Sequence, residues 1–191
     1  MLEELFISRV RVKILDLFLK NLDKSYYVRQ ISRAVNTEIN AVRRELNRLT
    51  KIKFLKRTSR GNRVFYEVRL DFALLPELLG LFYKQIGFGE NIIAKQKELG
   101  KINFAVLTKY FVYKQVPDKN GVDTAIVGKV DLKLLQVLID REQERLGREI
   151  NYTVISQEDF EILKSRRDKF INQLLSDTCV FLLGEETAFR S

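Results

Sequence analysis

Arginine and asparagine side chains recur along residues 37–53, TEINAVRRELNRLTKIK, at spacings that predict one exposed helix face. Apolar residues step by three and four and form the inward stripe: Ile39, Val42, Leu46 and Leu49. The outer positions are left to hydrogen-bond donors: Asn40, Arg43, Arg44, Asn47, Arg48 and Lys51. Arg and Asn can pair with guanine and adenine edges in the DNA major groove, which admits an α-helix.

An ordinary solvated helix would mix Glu with Lys, because such pairs stabilise a helix at i,i+4 spacing. Only Glu38 and Glu45 occur in this segment. We therefore favour an anion-binding face, and a basic helix without a ligand is the alternative.

A second cationic cluster lies in residues 54–70, FLKRTSRGNRVFYEVRL, which predict two strands around a turn at 59–62. Gly61 can take the positive φ that a tight reversal needs. The tip combines Lys56, Arg57, Arg60, Asn62 and Arg63. These cations would repel one another unless an anion approaches, so we expect phosphate contacts here.

The net charge of +9 is concentrated in one part of the chain. Residues 1–70 contain 17 Lys and Arg against 7 Asp and Glu, whereas the remaining residues contain 17 against 18. A basic field attracts polyanions and gains from counterion release. A merely solvated basic surface is the alternative.

Several function classes are excluded or disfavoured by composition. The chain has no histidine, which excludes histidine acid/base catalysis and the usual zinc sites. Cys179 lies in the apolar run CVFLLG and is predicted to be a packed thiol. Neither a membrane span nor a secretory signal is expected, so we expect a cytoplasmic protein. We also expect no cofactor.

The segments before the basic helix predict two further helices. Residues 4–20 are densely apolar, which predicts one core helix buried on more than one side. Residues 26–35, YYVRQISRAV, predict a short second helix. Asn36 or Thr37 is expected to cap the third helix.

Three helices followed by a basic hairpin resemble the winged helix-turn-helix of ArsR-like bacterial and archaeal transcription regulators. The resemblance covers residues 4–70 and lies in VRQISRAVNTEINAVRRELNRLTKIKFLKRT and in the wing RTSRGNRVFYEV. In that family the third helix enters the major groove, and the wing rests on the backbone or minor groove. The resemblance implies a sequence-specific double-stranded DNA-binding transcription regulator, with recognition helix 37–51 and wing 56–64.

The same resemblance implies roles for individual residues. The implied base contacts are Asn40, Arg43, Arg44 and Asn47. The implied phosphate or minor-groove contacts are Thr37, Arg48, Arg57, Arg60, Asn62 and Arg63. Lys56 at the wing tip completes the candidate DNA-binding set.

Residues 71–100 predict a connecting helix pair interrupted by Pro76 and by the Gly87–Gly89 turn. Such helices often form the subunit contact in dimeric winged-helix regulators, so a homodimer is expected; alternatively, they cover the second core. The candidate dimer residues are Leu74, Leu75, Leu78, Leu79, Leu81, Phe82 and Ile86.

Residues 101–191 alternate between strand and helix patterns, which predicts a small α/β or α+β domain and an α+β class for the chain. Strands are expected over 102–113, 122–130, 150–156 and 179–184, and helices over 130–148 and 157–177. The predicted organisation is therefore a DNA-binding domain over 1–70, connecting helices over 71–100, and a further domain over 101–191.

Residues 102–184 resemble the minimal nucleotidyltransferase fold of the polymerase-beta-like superfamily. The matching segments are FAVLTKYFVY, GVDTAIVGKVDLKLL, RLGREINYTVISQEDFEILK and VFLLG. Active members place Gly-Ser after the first strand, Asp-x-Asp on the second and a third carboxylate on a later strand, holding two metals against a nucleotide triphosphate.

This sequence departs from that pattern at each place. Lys109-Tyr110 replaces Gly-Ser, and Gly121 replaces the first Asp, which leaves Asp123. The third carboxylate position is Asn151, with Glu149 expected on the same strand face. We therefore expect no enzyme activity and no metal site, with Asp123 and Glu149 as residual metal candidates.

The domain is left with several roles: binding a nucleotide or other small molecule, dimerisation, or docking a protein. A metal-dependent, antitoxin-like nucleotidyltransferase, a protein-complex adaptor and an RNA binder remain the alternatives to the DNA-binding regulator.

Overall fold

Helices and two separate sheets make up this mixed α+β chain, for which the computed structural model describes residues 2–118, 121–177 and 180–191. The chain forms two compact units, and the boundary between them lies between Phe82 and Tyr83. This boundary falls inside the segment 71–100, which was predicted to hold connecting helices. Among the described residues, no helix combines the length and apolar character that crossing a bilayer requires. Cys179 lies outside the described residues, so its packing stays a prediction.

The first unit begins with two helices rather than the single one expected over residues 4–20. They are α1 (Leu2–Phe6) and α2 (Arg9–Leu19). Ile7 has a φ of 60°, and the Ser8 hydroxyl caps α2 by accepting the Arg11 N–H. The expected burial on more than one side is also wrong at the start of the segment, because Ile7 is 93% exposed.

The next elements are β1 (Tyr26–Tyr27), α3 (Val28–Ala34) and α4 (Ile39–Lys51). The second helix is shorter than expected, because its two tyrosines pair with the later hairpin instead. The prediction that Asn36 or Thr37 caps α4 is wrong. Asn36 takes a φ of 46°, and the Thr37 hydroxyl donates to the Val35 carbonyl, so the Glu38 carboxylate accepts the Asn40 and Ala41 N–H groups.

The hairpin consists of β2 (Leu55–Arg60) and β3 (Arg63–Val68), with β1 on the other side of β3. The strands pair from Leu55↔Val68 to Arg60↔Arg63, which leaves Gly61 and Asn62 as the turn. Gly61 has a φ of 57°, as the turn prediction required. Leu55, Tyr66 and Val68 are buried together with the side chains of the three-helix core: Ile14, Phe18, Ile31, Val42, Leu46 and Leu49.

The connecting segment folds as α5 (Leu75–Gln85), α6 (Phe88–Ala94) and α7 (Gln96–Leu99). Pro76 lies in the first turn of α5 rather than interrupting a helix, because an N–H has no intrahelical partner there. Among the candidate dimer residues, Leu75, Leu79 and Phe82 are buried, and Leu74 is exposed. Leu78, Leu81 and Ile86 are half-buried.

The second unit contains a sheet of order β6-β5-β4-β7, in which β5 and β6 are parallel and the other pairs are antiparallel. Its strands are β4 (Gly100–Leu107), β5 (Thr124–Val130), β6 (Tyr152–Ile155) and β7 (Val180–Leu183). Its helices after β4 are α8 (Lys109–Val112), α9 (Leu132–Leu146), α10 (Gln157–Ser165), α11 (Lys169–Ser176) and α12 (Glu186–Arg190).

Side-chain caps explain two departures from the expected elements of this unit. The strand expected over 102–113 ends at Leu107, because the Thr108 hydroxyl caps α8. The helix expected over 157–177 is divided at Arg167, which has a φ of 54°, and Asp168 caps the second part.

Both faces of the central strands are covered, since consecutive residues Ala105, Val106 and Leu107 are all fully buried. One core cluster joins side chains of the sheet to side chains of α10, α11 and α12. It contains Phe104, Val106, Ala125, Val127, Phe160, Ile171, Leu174, Phe181 and Phe189.

Candidate nucleic-acid interface

A groove of about 670 Å³ lies between α3, α4 and the β2–β3 hairpin of the first unit. Five of its lining residues are arginines, and no described acidic residue lines it. The lining residues are Tyr27, Val28, Arg29, Arg33, Arg43, Asn47, Arg57, Asn62, Arg63, Val64 and Tyr66. The groove therefore combines a concave shape with charge of one sign.

Helix periodicity explains why the arginines of α3 and α4 reach this surface. Ile31 is fully buried, and Arg29 and Arg33, two positions to either side, are exposed. On α4, Val42 is fully buried and the next residue, Arg43, is exposed. Because the apolar stripe of each helix is buried, the arginines on the opposite face are directed outward.

The two carboxylates of the segment 37–53, Glu38 and Glu45, make contacts outside the groove. Glu38 caps the helix, and Glu45 is buried, where it accepts hydrogen bonds from Arg11 at 2.8 Å and from Ser8 at 3.1 Å. Arg48 also donates to Glu45, at 2.8 Å. Neither carboxylate makes an ion pair with an arginine that lines the groove.

Burial opposes ionisation of Glu45, but the hydrogen bond and charge of Arg11 outweigh it. Ser8 and Arg48 act in the same direction, and the pKa of Glu45 is lowered. The carboxylate is therefore ionised at neutral pH and ties α4 to α2.

Two arginines at the end of the hairpin lie over aromatic rings. Arg60 and Arg63 are register partners at its end. The guanidinium carbon of Arg60 lies 5.3 Å from the centre of the Phe65 ring, and the guanidinium carbon of Arg63 lies 4.8 Å from the centre of the Tyr27 ring. The two rings are 5.8 Å apart in an edge-to-face arrangement.

The structure brings together only part of the residue set predicted from sequence. Five of its members line the groove: Arg43, Asn47, Arg57, Asn62 and Arg63. Asn40, Arg44 and Arg60 are exposed but do not line it.

The other three predicted residues already have partners within the chain. Arg48 pairs with Glu45, and Lys56 pairs with Glu67 at 3.3 Å. Thr37 donates its hydroxyl to a backbone carbonyl. These three side chains are less available to a ligand than the arginines of the groove.

Sequence reasoning missed Arg29 and Arg33. Their signal is an i,i+4 pair of arginines flanking the apolar Ile31 on α3. Neither residue makes an ion pair with any residue that the structure describes, and the same is true of Arg43, Arg44 and Arg57.

In the second unit, the residual metal candidate Asp123 is fully buried and engaged. Arg148 donates to both carboxylate oxygens, at 2.7 and 3.1 Å, and the Asn151 N–H adds a bond of 3.0 Å. Glu149 is exposed and precedes β6, so the expectation that it shares a strand face with Asn151 is wrong. The described residues contain no cluster of three or more His, Cys, Asp or Glu able to hold a metal ion.

Tyr110 stands where the nucleotidyltransferase resemblance expects the serine of the Gly-Ser pair. This residue is buried, and a Cβ added to Gly121 would lie 2.7 Å from the tyrosine ring. The Tyr110 hydroxyl donates to Asp118 at 2.9 Å, and the adjacent Lys109 pairs with Asp177 at 2.8 Å. The cavity beside the ring measures about 10 Å³, which is close to the space of a single water molecule.

No protein-family model matches the chain, and no curated protein matches it. Among solved structures, it is similar to human N-acetylserotonin methyltransferase in complex with SAM, at 15% identity over 61% of this chain and 36% of that one. It is also similar to the ferric uptake regulator from Francisella tularensis with iron, at 16% identity over 78% and 87%.

Both structures have a TM-score of 0.31, and the chain spans about a third of the length of the methyltransferase. Similarities this weak support no inference about function.

Proposed function

We propose that the chain is a sequence-specific double-stranded DNA-binding transcription regulator of the ArsR-like winged helix-turn-helix type. In this proposal α4 is the recognition helix and the β2–β3 hairpin is the wing. The observation that supports it most directly is the groove lined by five arginines and by no described acid. Such a surface keeps its cations hydrated until a polyanion replaces the water and releases counterions.

The groove suggests how a duplex would be held. If α4 enters the major groove and the wing contacts the minor groove, the sugar-phosphate strand between them must pass through the space separating α4 from the wing. Arg29, Arg33 and Arg57 would then contact phosphates. Arg43 and Asn47, on the exposed face of α4, would reach base edges.

We further propose that the protein is cytoplasmic and binds DNA as a homodimer, so that two recognition helices contact two half-sites. Leu74 and the half-buried Leu78, Leu81 and Ile86 are the dimer candidates that their own chain leaves accessible. The buried Leu75, Leu79 and Phe82 are already used in packing.

For the second unit we propose a nucleotidyltransferase-like fold that does not catalyse nucleotide transfer and instead serves as a ligand or protein module. The engaged Asp123 and the buried ring of Tyr110 support this proposal, because two-metal chemistry needs free carboxylates and a small residue beside the phosphates. Incubation with labelled nucleotides, Mg²⁺ or Mn²⁺ and candidate acceptors should give no incorporation. Incorporation that Asp123→Asn abolishes would overturn the proposal.

Selection of bound fragments from random duplexes tests the main proposal. We expect an enriched motif with two half-sites about 10 base pairs apart and a preference over random DNA of roughly 10³- to 10⁷-fold. The control variant is Arg141→Ala, which removes an exposed arginine of α9 that does not line the groove. It should select the same motif as the wild type. If no motif is enriched, or if structured RNA competes equally well, the proposal is wrong.

A further inference from the structure

We propose that Tyr27 and Phe65 are positioning residues, whose ring faces hold the guanidinium groups of Arg63 and Arg60 apart and ready for phosphate before DNA binds. This inference rests on the proposed DNA-binding function. It concerns how the wing is prepared for its ligand.

The wing tip poses an electrostatic problem. Arg60 and Arg63 face each other across the last register pair, and like charges directly opposite one another destabilise a hairpin. Neither makes an ion pair with a described residue, and Glu67 on the same face is paired with Lys56. Two long side chains with this repulsion would otherwise sample many rotamers.

The two arginines lie over two different aromatic rings. β1 pairs with β3 so that Tyr27 lies opposite Phe65, and the rings contact each other edge to face. Arg63 lies over Tyr27 at 4.8 Å, and Arg60 over Phe65 at 5.3 Å. Each guanidinium therefore has its own ring.

Both arginine side chains are exposed, so their N–H groups can still reach a ligand. A guanidinium can stack through its flat face on an aromatic ring while its N–H groups point outward in a fixed fork. A phosphate would then meet two pre-oriented cations, so less rotamer freedom is lost on binding. The short strand β1 therefore does more than pair with β3, because its residue Tyr27 supplies the ring over which Arg63 lies.

The test compares ring removal with ring retention. Tyr27→Leu and Phe65→Leu should each weaken duplex binding by about two- to fivefold, as expected for an exposed cation–π contact. Tyr27→Phe and Phe65→Tyr keep a ring, so each should bind more tightly than the Leu variant at the same position. The salt dependence should be unchanged in all four variants, whereas Arg63→Leu should lower its slope by about 0.9.

A readout without DNA separates this inference from the proposed function. In the free protein, ring currents should shift the side-chain protons of Arg60 and Arg63 upfield in NMR spectra, and the Leu variants should lose the shift at the matching arginine. Shifts in a wild type that binds no duplex would refute DNA binding and leave the ring contacts standing. Absent shifts, or Leu variants that bind DNA as tightly as the wild type or more tightly, would overturn the positioning role.

Discussion

Arginines in the two units have opposite environments. Arg148 in the second unit donates to both oxygens of the fully buried Asp123, and its own side chain is 31% exposed. Arg29, Arg33 and Arg43 in the first unit are exposed and make no ion pair with a described residue. Arg148 is paired with a carboxylate of its own chain, whereas Arg29, Arg33 and Arg43 are solvated by water.

This difference has a physical basis. A buried carboxylate without a partner is strongly destabilising, so Asp123 and Arg148 are coupled within the fold. Exposed arginines cost little, because water solvates them, but placing several around one groove raises their mutual repulsion. An external polyanion relieves that repulsion, whereas a partner from within the chain would abolish the binding surface. We therefore expect substitutions in the two places to change different observables.

The largest effect is expected at the buried pair. Arg148→Met leaves the Asp123 carboxylate buried without its cation and should lower the free energy of unfolding by about 3–5 kcal/mol. Urea denaturation followed by circular dichroism measures it. Asp123→Asn is the matched variant and should cost less, because the partly exposed Arg148 can regain water. A neutral Arg148→Met would contradict the view that this pair is structural. Equal losses from the two variants would show that the unpaired buried carboxylate is not the main cost.

Glu45 is an intermediate case, since it lies on the recognition helix but is paired internally. Glu45→Gln should lower the free energy of unfolding at pH 7 by about 1.5–3 kcal/mol, because Arg11 loses an ionised acceptor. Folding lowers the pKa of Glu45, so the carboxylate stabilises the fold above its ordinary pKa of about 4.3. That contribution is lost as the pH falls below this value and through the lowered pKa of the folded state.

Denaturation curves between pH 3 and pH 7 should therefore show a smaller pH dependence for Glu45→Gln than for the wild type. Glu38→Gln serves as the control, because Glu38 is exposed and the amide oxygen of the new side chain can still accept the hydrogen bonds that cap α4. Its pH profile should resemble that of the wild type. Parallel pH profiles for Glu45→Gln and the wild type would show that the Glu45 pairing does not contribute to acid sensitivity.

Substitution within the groove should change binding and leave stability intact. Arg43→Ala should reduce discrimination against the wrong base by about 1–3 kcal/mol at one position of the bound motif. Competition binding with single-base variants of the selected duplex measures this. A loss of affinity equal for every duplex would show that Arg43 contacts phosphate and reads no base.

The sequence predicted the cationic face of α4 and the hairpin well, because burial of Val42 and Leu46 and the turn at Gly61 follow from local spacing. It failed where the outcome depends on contacts far apart in the chain. Glu45 belongs neither to the predicted apolar stripe nor to the predicted donor face, and in the structure it is buried against Arg11, 34 positions earlier. No helical periodicity contains that information.

The capping residues show a similar limit. Asn36 and Thr37 are both chemically suited to cap α4, but Asn36 takes a left-handed conformation and the Thr37 hydroxyl donates to the Val35 carbonyl, so Glu38 caps the helix. In the second unit, replacement of the small pair by Lys109-Tyr110 predicted obstruction of a phosphate cradle. The identity of the partner of Asp123 could not be predicted, because Arg148 lies 25 positions away.

The smallest expected effect concerns Arg29 and Arg33 of α3, which the sequence analysis did not include among the DNA contacts. Arg29→Ala should weaken all duplexes alike and lower the slope of log affinity against log salt by up to about 0.9, because one phosphate contact is lost. Arg33→Ala should behave in the same way, and Arg141→Ala should leave the slope unchanged. The comparison distinguishes two modes of binding. In one, a sugar-phosphate strand lies in the groove, and in the other only α4 and the wing contact DNA. If both α3 variants keep the wild-type slope, the DNA backbone does not pass through this groove, whatever the specificity of Arg43.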